Sequence, residues 1–161
     1  MDIFADWKAI RTHFNKSFKT NFHVSIASVN VDNNPTVTPI GSLFLNHDQT
    51  GYYFEKFPQK LPAQYEKNPY ICVWAVNSSA LFWIKSLLLK KFNTYPGIKL
   101  YGKLGLKRNA TEQEIQKLQV RMKVTKLLNG NKYLWGNMQN VRDISFTKAE
   151  KINLGKMTAY I

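Results

Sequence analysis

Ile3, Trp7, Ile10, Phe14 and Phe18 recur at intervals of four, three, four and four. That is one stripe of an amphipathic helix, and it predicts a helix laid over a sheet. The period then shortens. Phe22, Val24 and Ile26 alternate with His23, Ser25 and Ala27, and the run closes on Asp32-Asn33-Asn34-Pro35, so a strand entering a tight turn is expected. A second strand covers about Thr36 to Leu45, Asn46 to Gly51 forms a polar reversal, and Tyr52-Tyr53-Phe54-Glu55 opens a third strand. Three successive antiparallel strands make a meander.

The second half mixes both periods. A short helix from about Pro58 to Lys67 stops at Asn68-Pro69, and Tyr70 to Val76 reads as a buried central strand. Ser79 to Phe92 is helical in pattern but apolar on more than one side, as expected of a helix held between the body of the protein and another surface. After the break at Tyr95-Pro96-Gly97, Ile98 to Leu106 alternates as a half-exposed strand, with Gly102 and Gly105 where a barrel must bend. Thr111-Glu112-Gln113-Glu114 is a capping box, opening a helix through Ile115, Leu118 and Met122 that ends near Asn129-Gly130-Asn131. A last strand or strand pair runs from about Val141 to Leu154. The sum is one α+β domain over residues 1–161: a six-stranded antiparallel β-barrel with helices packed outside.

Composition narrows the partners. A hydrophobic fraction of 44% and an aromatic fraction of 14% suit a packed core with rings to spare for a ligand or an interface. Cys72, the lone cysteine, sits in an apolar run and reads as a small buried hydrophobe. The start lacks the basic and apolar stretch of a secretory signal, which points to the cytoplasm. Ala80 to Leu89 is interrupted by Lys85 and is shorter than the roughly 20 residues that cross a bilayer. A net charge of +13 attracts phosphates, nucleic acids or acidic membranes, but the lysines are scattered rather than gathered in a tail, so a solvated surface is the first reading.

No residue pattern announces catalysis. His13, His23 and His47 are far apart, metal-ligand spacings are missing, and neither the P-loop nor the Rossmann glycine pattern occurs. Cofactor chemistry needs no such side chains, because the cofactor itself carries the reaction.

The informative stretch runs from Asn34-Pro35 through Thr36 to Leu45, then Gly51-Tyr52-Tyr53-Phe54, Phe57-Pro58-Gln59-Lys60 and Asn68-Pro69. This layout resembles the pyridoxamine 5′-phosphate oxidase-like split-barrel family, which binds flavin mononucleotide (FMN). It does so from about Phe22 to Val76, and more loosely through Tyr101-Gly102 to Arg142-Asp143-Ile144. The resemblance implies that the flavin ring lies along Val37, Thr38, Pro39, Ile40, Gly41 and Ser42. Physics agrees in part: Pro39 has no N–H and Gly41 no side chain, so a ligand can approach this backbone. By the same resemblance Lys60 meets the phosphate, although Leu61 stands where a second cation is usual, with Gln59 and Lys56 near enough to compensate. Tyr53, Phe54 and Glu55 fall on the strand that contacts ribityl and phosphate groups, and Asn77 and Ser78 where polar contacts to the ring occur.

The family works as a homodimer with the cofactor groove at the subunit interface, and the apolar helix from Leu81 to Leu89, with Trp83, is an expected part of that seam. Trp135 is a further candidate for stacking. An FMN-dependent oxidoreductase of unknown substrate is the implied function. Oxidation of pyridoxamine phosphate itself is disfavoured, since the basic pair is incomplete and no Arg- and His-containing segment precedes Ile161. Two alternatives stay open: the same barrel holding haem or a deazaflavin, and a basic module for nucleic acid or a membrane surface.

Overall fold

Helix α1 (Trp7–Asn21) forms where the apolar stripe predicts it and buries Trp7, Ile10, Phe14 and Phe18. His13 and Ser17 share that face, which requires partners for their polar atoms. His13 Nε2 bonds the Ala75 carbonyl at 3.0 Å, and the Ser17 hydroxyl donates to the Val76 carbonyl at 2.6 Å. Burial lowers the His13 pKa, the Ala75 contact opposing it. The helix is thus both packed on the sheet and hydrogen-bonded to it.

The computed structural model describes residues 1–161. Its seven strands are β1 (Val24–Val29), β2 (Pro35–Ile40), β3 (Leu43–Leu45), β4 (Thr50–Phe54), β5 (Tyr70–Val76), β6 (Gly97–Asn109) and β7 (Asn140–Lys151). They form one antiparallel sheet in the order β2-β1-β5-β6-β7-β4-β3. The two outermost strands, β2 and β3, are consecutive in the chain and separated by Gly41-Ser42 alone. A link of two residues spans at most about 10 Å, so the sheet must curl until its ends stand together. They are not paired, which makes the barrel a split one.

That link is also why seven strands replace the expected six. The run from Thr36 to Leu45 breaks at Gly41-Ser42 into two strands at opposite ends of the sheet. Curvature is helped by register shifts in the β6–β7 ladder, between Tyr101 and Gly102 and between Leu104 and Lys107. Gly102 has no room for a side chain there, because a Cβ would lie 2.2 Å from the Ser145 carbonyl oxygen.

The helices close the ends and flank. Helix α2 (Lys60–Gln64) buries Leu61 completely, and Gln64 accepts from the Ser28 hydroxyl and reaches Thr36, tying the helix to β1 and β2. Helix α3 (Ala80–Leu88) is capped by Ser79 and ends short of Phe92, with Lys90 in the left-handed region at φ 50°. Phe82 and Trp83 pack on Phe92, while Leu81, Ile84, Leu87 and Leu88 face outward.

Helix α4 (Glu112–Arg121) carries the expected capping box: Glu114 N–H donates to the Thr111 hydroxyl, and Thr111 N–H to the Glu114 carboxylate. It stops earlier than expected, passing through a 3-10 turn at Met122–Thr125 into α5 (Asn129–Trp135). Val124 and Thr125, both β-branched, weaken the helix there. The main core lies between α1 and the inner face of the sheet, and a smaller cluster of Tyr52, Phe54, Leu118, Met138 and Val141 lies under α4.

Candidate functional site

Strand pairing sorts the β2 side chains by face. Thr38 and Ile40 stand opposite Ile26 and Val24, which belong to the core. Val37 and Pro39 stand opposite Ala27 and Ser25 and point out of the barrel. The same outward rows continue across β5 and β6 as Cys72 and Tyr101, and as Trp74 and Lys99. Val37 is 66% exposed and Trp74 45% exposed. An apolar sheet face is therefore left uncovered, with β2, an edge strand, at its border. Half of the backbone N–H and C=O groups on such an edge have no ladder partner.

The other predicted positions divide. Ser42 is buried, and its hydroxyl accepts from the Phe54 N–H and donates to the Phe54 carbonyl, both at 3.2 Å. It stitches the β2–β3 corner to the end of β4. Gly41 lies against the indole of Trp135, whose ring would come within 2.6 Å of a Cβ at that position. Tyr53 and Phe54 are fully buried. The Tyr53 hydroxyl donates to Glu55 at 3.0 Å, and Arg142 donates to the same carboxylate through Nε and Nη2.

Burial by itself would raise the Glu55 pKa, but the Arg142 hydrogen bonds and charge, with Tyr53 and with Lys107 at 3.4 Å, outweigh it and hold the carboxyl below its ordinary range. Tyr53 is driven upward, first by burial and then by the Glu55 charge. This is a closed network whose polar atoms are already engaged. Lys60 is exposed at the start of α2 and makes no hydrogen bond or ion pair.

Gln64 of the same short helix bonds Ser28 and Thr36, so α2 is tied to the inward row of β1 and β2, on the face opposite Val37 and Pro39. Asn77 and Ser78 are not beside this helix. Ile71 lies in the row of Ser28 and Thr36, and Asn77 is at the far end of β5, roughly 20 Å away at about 3.3 Å per residue. There Asn77 accepts from the Ser79 N–H and from the Trp83 indole N–H, at 3.1 and 2.6 Å.

A second feature escaped the sequence reading. A groove of about 1420 Å³ opens between α1, the β3 edge and α4–α5, and of the predicted ligand residues only Trp135, the stacking candidate, lines it. Arg121 is its most unusual member. The guanidinium lies 3.5 Å from the Phe44 ring centroid and 4.3 Å from that of Phe18, and it donates to the Leu43 carbonyl on the free edge of β3. No carboxylate pairs with it. Desolvation pushes its pKa down to about 10, far enough above neutral pH to keep the charge. Arg11, Lys19 and Lys117 also line the groove, and no acidic residue does. The legible signal was a second stripe on each helix: Arg11, Asn15, Phe18 and Lys19 on α1, with Phe22 just past its end, and Gln113, Gln116, Lys117, Val120 and Arg121 on α4.

No family model matches the chain, and no curated protein matches it by sequence. Solved structures do match in fold. An FMN-binding protein from Syntrophomonas wolfei subsp. wolfei aligns at 14% identity and a TM-score of 0.60, covering 96% of this chain and 97% of its own. A candidate pyridoxamine 5′-phosphate oxidase from Listeria innocua aligns at 12% identity and a TM-score of 0.53, covering 94% and 99%. HutZ, described as the haem storage protein of Vibrio cholerae, aligns at 9% identity and a TM-score of 0.51, covering 94% and 95%. The architecture of this chain is the split barrel these proteins share.

Proposed function

We propose that the chain is an FMN-binding protein, working as a homodimer in which a second subunit completes the cofactor groove, and that it is a flavin-dependent oxidoreductase. The observation that carries this reading is the uncovered apolar face of β2, β1 and β5, bordered by an edge strand. Val37 and Pro39 offer the flat apolar strip that a planar ring needs, and the free edge of β2 offers donors and acceptors to its polar rim. Thr38, Ile40, Gly41 and Ser42 fix that strand in place. Lys60 holds the phosphate. Tyr53, Phe54 and Glu55 enter as scaffold, because their polar groups are spent within the chain. Asn77 and Ser78, at the far end of β5, are assigned to the ring end of an elongated ligand. When bound, the flavin supplies hydride or electron transfer, and the protein supplies position and exclusion of water.

The fold likeness to the FMN-binding protein supports FMN, and the likeness to HutZ keeps haem as the second reading. A flavin-mononucleotide titration followed by absorbance and fluorescence quenching separates the two. Saturable quenching with flavin bands is expected, and Lys60→Glu is expected to weaken it by about tenfold or more, the scale of a charge-assisted contact. Equal affinity in the variant removes Lys60 from the site. A Soret band with no flavin uptake replaces FMN by haem.

A further inference from the structure

We propose that the groove between α1, β3 and α4–α5 is a separate binding site for an amphipathic organic anion, an apolar body bearing a carboxylate or phosphate, with Arg121 as its anchor. The site does not depend on the flavin reading, since it shares no residue with the face assigned to the cofactor.

The chemistry of the lining defines the ligand. Phe18, Phe22, Phe44, Leu134 and Trp135 supply apolar wall, so the body must be hydrophobic. Arg121, Arg11, Lys19 and Lys117 supply charge of a single sign, and none of the four is ion-paired within the chain. A guanidinium held between two aromatic rings and taken partly out of water, without a carboxylate, is costly to maintain. An anion recovers that cost, because arginine offers a planar fork to carboxylate and phosphate alike. The one hydrogen bond Arg121 makes, to the Leu43 carbonyl, fixes the guanidinium and leaves its remaining N–H groups for a ligand. Arg11 is held in a similar way, by the His47 ring at 2.9 Å, on the side of the groove formed by α1 and the β3–β4 turn. The volume is ample for a multi-ring or long-chain body, since small-molecule pockets usually span about 300 to 1,000 Å³.

A nucleic acid is the poorer fit. Its charge is spread along a backbone, whereas here the cations surround one apolar trough, and much of the surrounding lining is aliphatic: Leu45, Val120, Val124 and Leu128.

A matched pair of probes tests the proposal: 1-pyrenebutyrate and 1-pyrenebutanol have the same ring system and differ in charge. Titration into the full chain, read by energy transfer from tryptophan to pyrene, is expected to show the acid binding about tenfold or more tighter than the alcohol, with the advantage shrinking as salt is added. Arg121→Gln is expected to abolish the preference, and Trp135→Phe to reduce the transfer. Because Arg121 also braces β3, the exposed pair Lys19→Gln and Lys117→Gln serves as a control for folding. It is expected to weaken the acid several-fold with circular dichroism unchanged. Equal affinity for acid and alcohol, no binding of either, or a preference untouched by all these variants overturns the proposal. So does displacement of the acid by FMN at its own binding concentration, which would make the groove the cofactor site. Failure of FMN to bind at all leaves the acid's preference intact and sinks the flavin reading alone.

Discussion

At the scale of single residues, the decisive contacts are polar groups with no water to fall back on. Glu55 and Arg142 are nearly buried, at 5% and 7% side-chain exposure, so each depends on the other for its charge. Arg142→Met leaves the carboxylate with Tyr53 and the half-exposed Lys107, and is expected to cost about 3 to 5 kcal/mol near pH 7. The pH dependence follows from the lowered Glu55 pKa. A carboxyl whose folded value lies below its unfolded one contributes stability above the unfolded value, and that contribution fades as pH falls through the folded value. Urea unfolding at about pH 7 and about pH 4 is expected to show the gap between wild type and Arg142→Met narrowing in acid, as protonation removes the stranded charge. A gap that is constant or widens argues against the pair as a stabilising unit. The resemblance placed Glu55 beside a ligand, and its spacing gave no sign of Arg142, because the two lie far apart in the chain and meet only through the β4–β7 ladder.

At the scale of elements, the corner between β2 and β3 is the feature on which closure turns. β3 has three residues, and its register with β4 begins at Leu43 opposite Tyr53. The next position would pair Ser42 with Phe54, but the backbone has left the ladder, and the Ser42 side chain makes both bonds instead. Ser42→Ala strands a buried N–H and a buried C=O together. The expected loss is about 1 to 3 kcal/mol in denaturant unfolding, with the corner opening first in hydrogen exchange at Phe54. Unchanged protection of the Phe54 amide would show that the hydroxyl is dispensable. Alternation alone marked Thr36 to Leu45 as one strand, which in the folded chain breaks at Gly41-Ser42. That the break sends the two halves to opposite ends of the sheet needed the other five strands in place.

For the whole molecule, the unpaired rows of the sheet set the assembly. Val37, Cys72 and Trp74 face outward beside one another across β2 and β5, with Ala27 between them, a patch that would be costly to leave in water. In the proposed homodimer this face meets its copy, and Val37→Glu with Trp74→Glu is expected to yield monomers in sedimentation velocity while the circular dichroism spectrum is kept. Persistence of the dimer in the double variant moves the seam elsewhere, with α3 and its exposed Leu81, Ile84 and Leu88 as the next surface to substitute. The charge of +13 is a property of the whole surface, and four of its 23 cations, Arg11, Lys19, Lys117 and Arg121, line one groove that no acid shares.

Periodicity in the chain was enough to determine most of the helices and strands, though neither the start of β3 nor α5, together with the capping box at Thr111, the α+β class and the inward face of α1, because each depends on neighbours within a few residues. The layout from Asn34 to Lys60 was enough to suggest the split barrel. Only the folded chain decided which strands neighbour which, which faces stay uncovered, and where Arg121, Arg142 and Ser42 find their partners. Those are long-range matters: they depend on which distant segments the curled sheet brings into contact, and a linear pattern of hydrophobic and polar positions carries no record of that distance.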